Sequence, residues 1–209
     1  RAGATGPRHW SLPARAVDAF DTKADALAAL EAAGVPVDRL QTTADAPHWY
    51  HPGRSGTLRL GATVLAWFGE IHPKIALALD VKGALAGFEV FLDLLPVPKA
   101  KGTTRARPLL KLPPFHPVSR DFAFLLDRSV PADTVIRAAR GAEKTLIADV
   151  TVFDLYEGPH VGEGRKSLAI TVTLQPTERS LTDAEIEAVS ARVIQAVIKA
   201  TGAELRQGK

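Results

Sequence analysis

Two neighbouring segments, FDLYEG at residues 153–158 and GRKSLAITVTL at residues 164–174, predict the two strands of a β-hairpin. The second segment alternates apolar with hydroxyl-bearing side chains, a pattern typical of a strand with one buried and one solvated face. The predicted buried set is Leu168, Ile170, Val172 and Leu174, and the predicted solvated set is Ser167, Thr171 and Thr173. On the first strand Asp154 and Tyr156 are two residues apart, so both are expected on one side of the sheet.

The hairpin lies within a strand, helix, strand, strand, helix, strand order that occupies the last ninety or so residues. Strands are predicted at residues 120–127, 147–157, 166–175 and 203–206, and a helix at residues 131–141. A second helix is predicted to begin at the capping box of Thr182 and Glu185 and to end at Gly202. A βαββαβ unit closes into one antiparallel sheet with both helices on one face. The other face is left free, and a carboxylate beside an aromatic ring there is suited to holding an unstacked nucleobase.

The first hundred residues predict a less regular α+β region. We expect a helix at 22–33, a turn at 49–54, strands at 57–60 and 63–68, a short helix at 72–79 and a strand at 84–94. The chain begins RAGATGPRHW and contains no methionine, so we expect it to be a fragment of a longer polypeptide. The sheet of this region would then lack strands that the N-terminal part supplies.

The composition is that of a folded chain of one or two domains, with 209 residues of which 46% are hydrophobic. The chain has no cysteine, so neither disulfides nor thiolate metal sites are expected, in keeping with a reducing compartment. No apolar run approaches the roughly 18 residues of a membrane span. The six histidines show no metal-site spacing, and no catalytic Ser-His-Asp order is recognisable. We therefore predict no catalytic, metal-binding or cofactor-binding residues in this chain.

A segment rich in proline and basic residues divides the sequence. Six of the fifteen prolines lie between Pro96 and Pro117, which predicts a linker at 99–111 between a first domain at 1–98 and a second at 112–209. Residues 94–120 carry six basic and no acidic side chains, so the remainder of this +3 chain sums to −3. The sequence leaves two interpretations open, a solvated linker and a segment that follows RNA phosphates.

Residues 113–206 resemble, over their whole length, the anticodon-binding domain that ends the β subunit of bacterial phenylalanyl-tRNA synthetases. The resemblance rests on PPFHPVSRDFAF at 113–124, VFDLYEG at 152–158, EGRKSLAI at 163–170, ERSLTDAEIE at 178–187 and GAELR at 202–206. It implies that Asp154, Tyr156, Ser167 and Arg206 contact RNA. The carboxylate would accept from the guanosine that begins the phenylalanine anticodon, and the tyrosine ring would stack on a base. Ser167 would form one hydrogen bond, and Arg206 would pair with phosphate or stack.

The first domain resembles the catalytic-like module of the same β subunits, on RHW at 8–10, DAFDTKADALAAL at 18–30 and WYHPGRSG at 49–56. That module has the class II synthetase fold without its active site and packs on the catalytic α subunit. The expected fold class is therefore α+β, a partial class II synthetase-like antiparallel α/β module followed by a ferredoxin-like βαββαβ domain. The resemblance assigns no role to His51, Arg54 or His72.

The resemblance also implies the setting in which the chain works. The complete enzyme would be a cytoplasmic (αβ)₂ heterotetramer that joins phenylalanine to its tRNA with ATP and Mg²⁺, with no membrane contact. The chain itself would bind the tRNA and the α subunit without holding either cofactor.

Two other interpretations remain open at this point. A free-standing ferredoxin-like domain can act as a small-molecule sensor that pairs sheets edge to edge around an amino acid. It can also act as an interaction module that binds no RNA. The exposed pair of Asp154 and Tyr156 and the basic segment favour RNA, whereas a thermal shift with amino acids would favour the sensor.

Overall fold

The computed structural model describes residues 1–7, 9–96 and 112–206. These residues form two compact units, one on each side of the segment 97–111. The predicted linker at 99–111 lies outside the described residues, so the predicted domain bounds and the role of its charge stay predictions. Within the described ranges, no helix is long and apolar enough to cross a membrane.

The first unit is a four-stranded antiparallel sheet with one long helix. Its elements are helix α1 (Ala19–Ala32), strands β1 (Gln41–Thr43), β2 (Tyr50–Leu60) and β3 (Thr63–Ile71), helix α2 (Pro73–Ala78) and strand β4 (Ala86–Val90). The strands follow the order β1-β2-β3-β4, so each pairs with its neighbours along the chain. Helix α1 lies against β3 and β4 and buries Ala26 and Leu30 among Leu58, Leu65 and Phe68 of the sheet.

Several boundaries in this unit differ from the predicted ones: β1 was not predicted, and β4 covers only part of the strand predicted at 84–94. Two of the differences have a clear local reason. The long helix begins at Ala19 because the Asp18 side chain accepts hydrogen bonds from the backbone N–H groups of Phe20 and Asp21, which completes a capping box. The turn predicted at 49–54 is wrong, because residues from Tyr50 onward belong to β2. A register shift between Tyr50 and Ser55 lets proline and glycine sit within that strand.

The second unit has the predicted βαββαβ order. Its elements are strand β5 (Val118–Asp127), helix α3 (Ala132–Gly141), strands β6 (Ile147–Tyr156) and β7 (Arg165–Leu174), helix α4 (Asp183–Thr201) and strand β8 (Glu204–Leu205). The sheet order is β6-β7-β5-β8, and every pairing is antiparallel. The predicted ferredoxin-like α+β fold is therefore confirmed, with β7 hydrogen-bonded on both sides and β6 at an edge.

Both helices of the second unit cover one face of its sheet. The core between them is made of residues that share that face, among them Phe124, Leu126, Leu168, Ile170, Val172 and Leu174 from the strands and Val135, Ile186, Val189, Val193 and Val197 from the helices. Each such side chain contributes roughly 1.5–3 kcal/mol by leaving water. We call the opposite side of this sheet the open face.

The first turn of α4 is fixed by the predicted capping box. The Thr182 side chain accepts from the Glu185 backbone N–H, while the Glu185 carboxylate accepts from the Thr182 backbone N–H at 2.8 Å. The guanidinium of Arg179 also pairs with this carboxylate. That ion pair, together with the hydrogen bonds from Thr182, lowers the pKa of Glu185 from an ordinary 4.5 to about 2.

Glu185→Gln is expected to lower the free energy of unfolding of the second unit at neutral pH, because the amide loses the ion pair to Arg179. The folded pKa lies below the unfolded one, so the carboxylate's contribution is complete above about pH 4.5 and is lost as the pH falls toward 2. Urea denaturation followed by far-UV circular dichroism should show the two proteins converging over that interval. A difference in the free energy of unfolding that does not change with pH would contradict this account. So would an equal loss of stability in Glu187→Gln, a variant of the same helix.

Candidate nucleic-acid interface

A β-bulge at Phe153 decides which way the end of β6 points. The register shifts by one residue between Val152 and Asp154, which leaves Phe153 as an extra residue on the strand. Beyond the bulge Asp154 pairs with Ala169, on the open face. In an unshifted register Asp154 would pair with Leu168, whose side chain is buried in the core. The bulge therefore aims the end of β6 away from the helices.

The four residues predicted to bind RNA occupy two adjacent rows across the open face. One row consists of Tyr156, Ser167, Leu125 and Glu204, which pair in turn across the four strands. The next row consists of Asp154, Ala169, Ala123 and Arg206, whose backbone N–H donates to the carbonyl oxygen of Ala123 at 2.8 Å. Neighbouring strands lie about 4.8 Å apart, so each row is roughly 14 Å long. The fold thus brings together residues that are up to 52 positions apart in the sequence.

Ser167 is not on a solvated surface, and that part of the prediction is wrong. Its side chain is only 5% exposed. It lies on the central strand, where Tyr156 on β6 and Leu125 on β5 are its direct partners and share its face. Larger neighbours on both sides shield a small side chain at such a position. Ser167 therefore belongs to the floor of the site, where a ligand could meet it only between those neighbours.

The two rows make a shallow trough. The small side chains of Ala123, Ser167 and Ala169 form its floor, while Asp154 and Tyr156 stand on the β6 side. Asp154 is exposed, and no side chain in the described part of the chain forms a hydrogen bond or ion pair with its carboxylate. Both oxygens of that carboxylate are therefore available to accept from a ligand.

Arg165 and Glu204 belong to the same face and were missed in the sequence. The Arg165 guanidinium pairs with Glu204 at 3.1 Å, across the strand β5 that separates them. Arg165 also lines a cavity of about 310 Å³ beside the hairpin loop, together with Arg128 and Glu157. Their spacing in the sequence could have indicated this, because Arg165 lies two positions before Ser167 and Glu204 lies two positions before Arg206. Residues two apart on a strand share a face.

The ring of Tyr156 is held between two residues of the hairpin loop. A Cβ added to Gly158 would lie 2.5 Å from the tyrosine hydroxyl oxygen and 2.7 Å from Cζ, so only glycine leaves room for the ring there. The imidazole of His160 lies nearly parallel to the ring, with an interplanar angle of 15° and centroids 6.4 Å apart. The orientation of Tyr156 therefore depends on the loop as well as on its strand.

The three residues without an assigned role in the first unit make local contacts. His72 precedes α2, and its Nδ1 accepts from the Lys74 backbone N–H at 3.2 Å as a helix cap. His51 Nδ1 accepts from the Gly53 backbone N–H at 3.0 Å, and Arg54 pairs with Glu70 at 2.6 Å. Among the described residues, no three histidine or acidic side chains are grouped closely enough to hold a metal ion.

An antiparallel βαββαβ sheet with both helices on one face defines a ferredoxin-like domain, and the aromatic–carboxylate pair on its other face is suited to an unpaired base. Residues 113–206 match the family described as ferredoxin-fold anticodon binding domain. Residues 2–92 match the family described as phenylalanyl tRNA synthetase beta chain CLM domain. The two matches fall on the two compact units, one on each.

Relatives with the same pair of units are highly similar. The chain is 62% identical to the phenylalanine–tRNA ligase beta subunit of Paramagnetospirillum magneticum and 60% identical to that of Rhodospirillum rubrum, each over 99% of this chain and 26% of the relative. It is 54% identical to that of Mesorhizobium japonicum, over 95% of this chain and 25% of the relative. The chain belongs to the phenylalanine–tRNA ligase beta subunit family, and it spans about a quarter of the length of these relatives.

Gly158→Ala is expected to move the Tyr156 ring, because the new methyl group would overlap the ring carbons. Aromatic NMR signals of Tyr156 should shift, while thermal unfolding of the second unit should change by no more than about 0.5 kcal/mol, because the displaced atoms are the outer end of a side chain that lies outside the core. Gly141→Ala is the matched control, since a Cβ there meets nothing within 4 Å. Unchanged tyrosine signals in Gly158→Ala would show that the loop does not hold the ring.

Proposed function

We propose that the open face of the second unit binds the anticodon of phenylalanine tRNA as part of a phenylalanine–tRNA ligase. The observation that carries this proposal is the arrangement of Asp154 and Tyr156 on one face of β6. The Asp154 carboxylate has no hydrogen-bond or ion-pair partner among the described side chains, and the tyrosine ring lies two positions away. The family of the domain and the names of its relatives support the identity of the RNA.

The proposed chemistry follows from what each side chain can donate or accept. Guanine presents two donors on its Watson–Crick edge, N1–H and the exocyclic amine, and a carboxylate can accept both. The ring of Tyr156 offers a stacking surface for the same base, a contact of roughly 1–3 kcal/mol. Arg206, exposed at the far end of the Asp154 row, would pair with phosphate or stack on a neighbouring base. Ser167 would contribute one hydrogen bond from the floor of the trough.

Charge alone would not carry this interaction. Residues 112–206 contain eleven basic and thirteen acidic side chains, a formal charge of −2. Nonspecific attraction to phosphate is therefore weak within the unit, and any large electrostatic contribution has to come from outside it, for example from the basic segment 99–111. Binding by the open face should consequently depend on bases more than on salt.

The first unit has a different proposed task, to pack on the α subunit of the ligase. It exposes several large apolar side chains, including Trp10, Phe20, Leu77, Leu79 and Leu92, and Phe20 and Leu77 are 77% and 79% exposed. A contact with another subunit would remove these side chains from water. The names of the relatives support a complete ligase that attaches phenylalanine to its tRNA. We propose that it does so in the cytoplasm as an (αβ)₂ assembly.

We propose that ATP and Mg²⁺ serve the complete reaction at sites that lie outside this chain. The described residues offer no grouped carboxylates of the kind that bind Mg²⁺. We therefore assign no step of the ATP-dependent chemistry to them. The role proposed for this chain is to recognise the RNA and to hold the subunit that performs the chemistry.

Tyr156→Ala is expected to weaken binding of an anticodon stem-loop of phenylalanine tRNA about tenfold, the effect of losing one base–aromatic stack. Tyr156→Phe, which keeps the ring, should bind within about twofold of wild type. Fluorescence anisotropy of a labelled stem-loop measures both. A loss of less than about threefold for the alanine variant would remove Tyr156 from the site.

Asp154→Asn is expected to abolish discrimination by the first anticodon base. Wild-type protein should prefer guanosine over inosine and inosine over adenosine, because these bases offer the carboxylate two, one and no correctly placed donors. The step from guanosine to adenosine should be about tenfold and should survive an increase in salt.

Asp149→Asn is the control for this measurement, since it removes the same charge from β6 while sparing Asp154. It should keep the order of the three bases. Equal binding of all three stem-loops by wild type, lost at higher salt, would leave only a basic surface. A thermal shift with free amino acids but none with RNA would instead favour the sensor interpretation.

A further inference from the structure

We propose that His160 is a second stacking residue of the RNA site, which takes the base that follows the one held by Asp154 and Tyr156. This inference rests on the proposed function and extends it to a residue outside the four already assigned. It begins from the two rings of the hairpin loop, which lie 15° from parallel with centroids 6.4 Å apart.

The orientation of the two rings is what successive bases require. Neighbouring bases of a single strand prefer parallel planes, and histidine and tyrosine both serve as stacking surfaces for unpaired RNA bases. Two rings that are nearly parallel can each receive one base without bending the strand between them. Because Tyr156 and Asp154 act on one base, His160 is the surface left for its neighbour.

The backbone holds His160 in place although its side chain is exposed. Pro159 before it has a fixed φ, and Val161 after it is only 5% exposed. The Val161 backbone N–H donates to the Gly158 carbonyl oxygen at 3.1 Å, which closes a short 3₁₀ turn over Pro159–Val161. An exposed ring between two anchored residues loses little conformational entropy when a base stacks on it.

The surroundings of the loop fit an RNA strand that continues past the trough. Arg128 and Arg165 line the 310 Å³ cavity beside it together with Glu157 and Glu163. Each arginine is paired with a carboxylate, Arg128 with Glu157 at 3.0 Å and Arg165 with Glu204 at 3.1 Å. A phosphate that approached the cavity would have to compete with these carboxylates for the guanidinium donors. The loop therefore combines an aromatic surface with nearby cations, as sites for unpaired nucleic acid do.

The test uses the full chain and a stem-loop with the phenylalanine anticodon, a guanosine followed by two adenosines. The middle adenosine is replaced by 2-aminopurine, whose fluorescence is quenched by stacking. His160→Ala is expected to weaken binding about three- to tenfold and to relieve the quenching. It should leave the preference for guanosine over adenosine at the first position unchanged. The same change is also made in Tyr156→Ala: a residue that merely supported Tyr156 would have no further effect there, whereas His160→Ala should weaken binding again by a similar factor.

Matched variants separate stacking from charge and from folding. His160→Phe keeps an aromatic surface and should retain both the affinity and the quenching. His116→Ala removes an exposed imidazole elsewhere in the same unit and should change neither. Far-UV circular dichroism checks that each variant keeps the helices of the unit.

Three outcomes would overturn the inference. His160→Ala could bind and quench as wild type does while Tyr156→Ala weakens binding, in which case only this inference fails. His160→Phe could be as weak as His160→Ala, which would make the contact one of charge or hydrogen bonding. If wild type itself does not bind the stem-loop, the proposed function and this inference fail together.

Discussion

The central strand β7 is the constraint on which the second unit depends. It is hydrogen-bonded to β5 on one side and to β6 on the other, so neither its register nor its faces can change alone. Its apolar side chains, Leu168, Ile170, Val172 and Leu174, are all buried beneath the helices. A slip of one residue would move every one of them to the open face, at roughly 1.5–3 kcal/mol each. The same pairing fixes Ser167 and Ala169 as the floor of the trough.

The edge strand β6 adapts to this fixed centre by a local irregularity. Its extra residue at Phe153 changes the parity of the strand, so that Asp154 and Tyr156 lie over β7 on the open face. The proposed binding site thus lies where the ladder is interrupted, next to a bulge of the kind that is common at sheet edges and beside active sites. The loop that follows then sets the ring of Tyr156 through the missing side chain of Gly158 and the parallel ring of His160.

The two units of the chain have different surfaces, which suit the different tasks proposed for them. The open face of the second unit is polar at its rim and small at its floor, which is suited to a flat ligand that carries its own hydrogen-bond donors. The first unit instead exposes large apolar side chains such as Phe20 and Leu77, which the proposed contact with the α subunit would remove from water. One chain can therefore contact RNA with one unit and a subunit with the other.

Features that follow from local rules could be predicted from the order of the residues. Period-two alternation predicted the strands and the buried face of β7, and the capping box of Thr182 and Glu185 predicted the start of α4. The spacing of Asp154 and Tyr156 placed both on one face, and the structure keeps them there because the bulge precedes both. Tertiary structure alone decided what depends on neighbours from distant segments. It buried Ser167 between Tyr156 and Leu125, joined Arg165 to Glu204, and laid His160 parallel to a ring, because pairing across strands and loops is not written in any single stretch of residues.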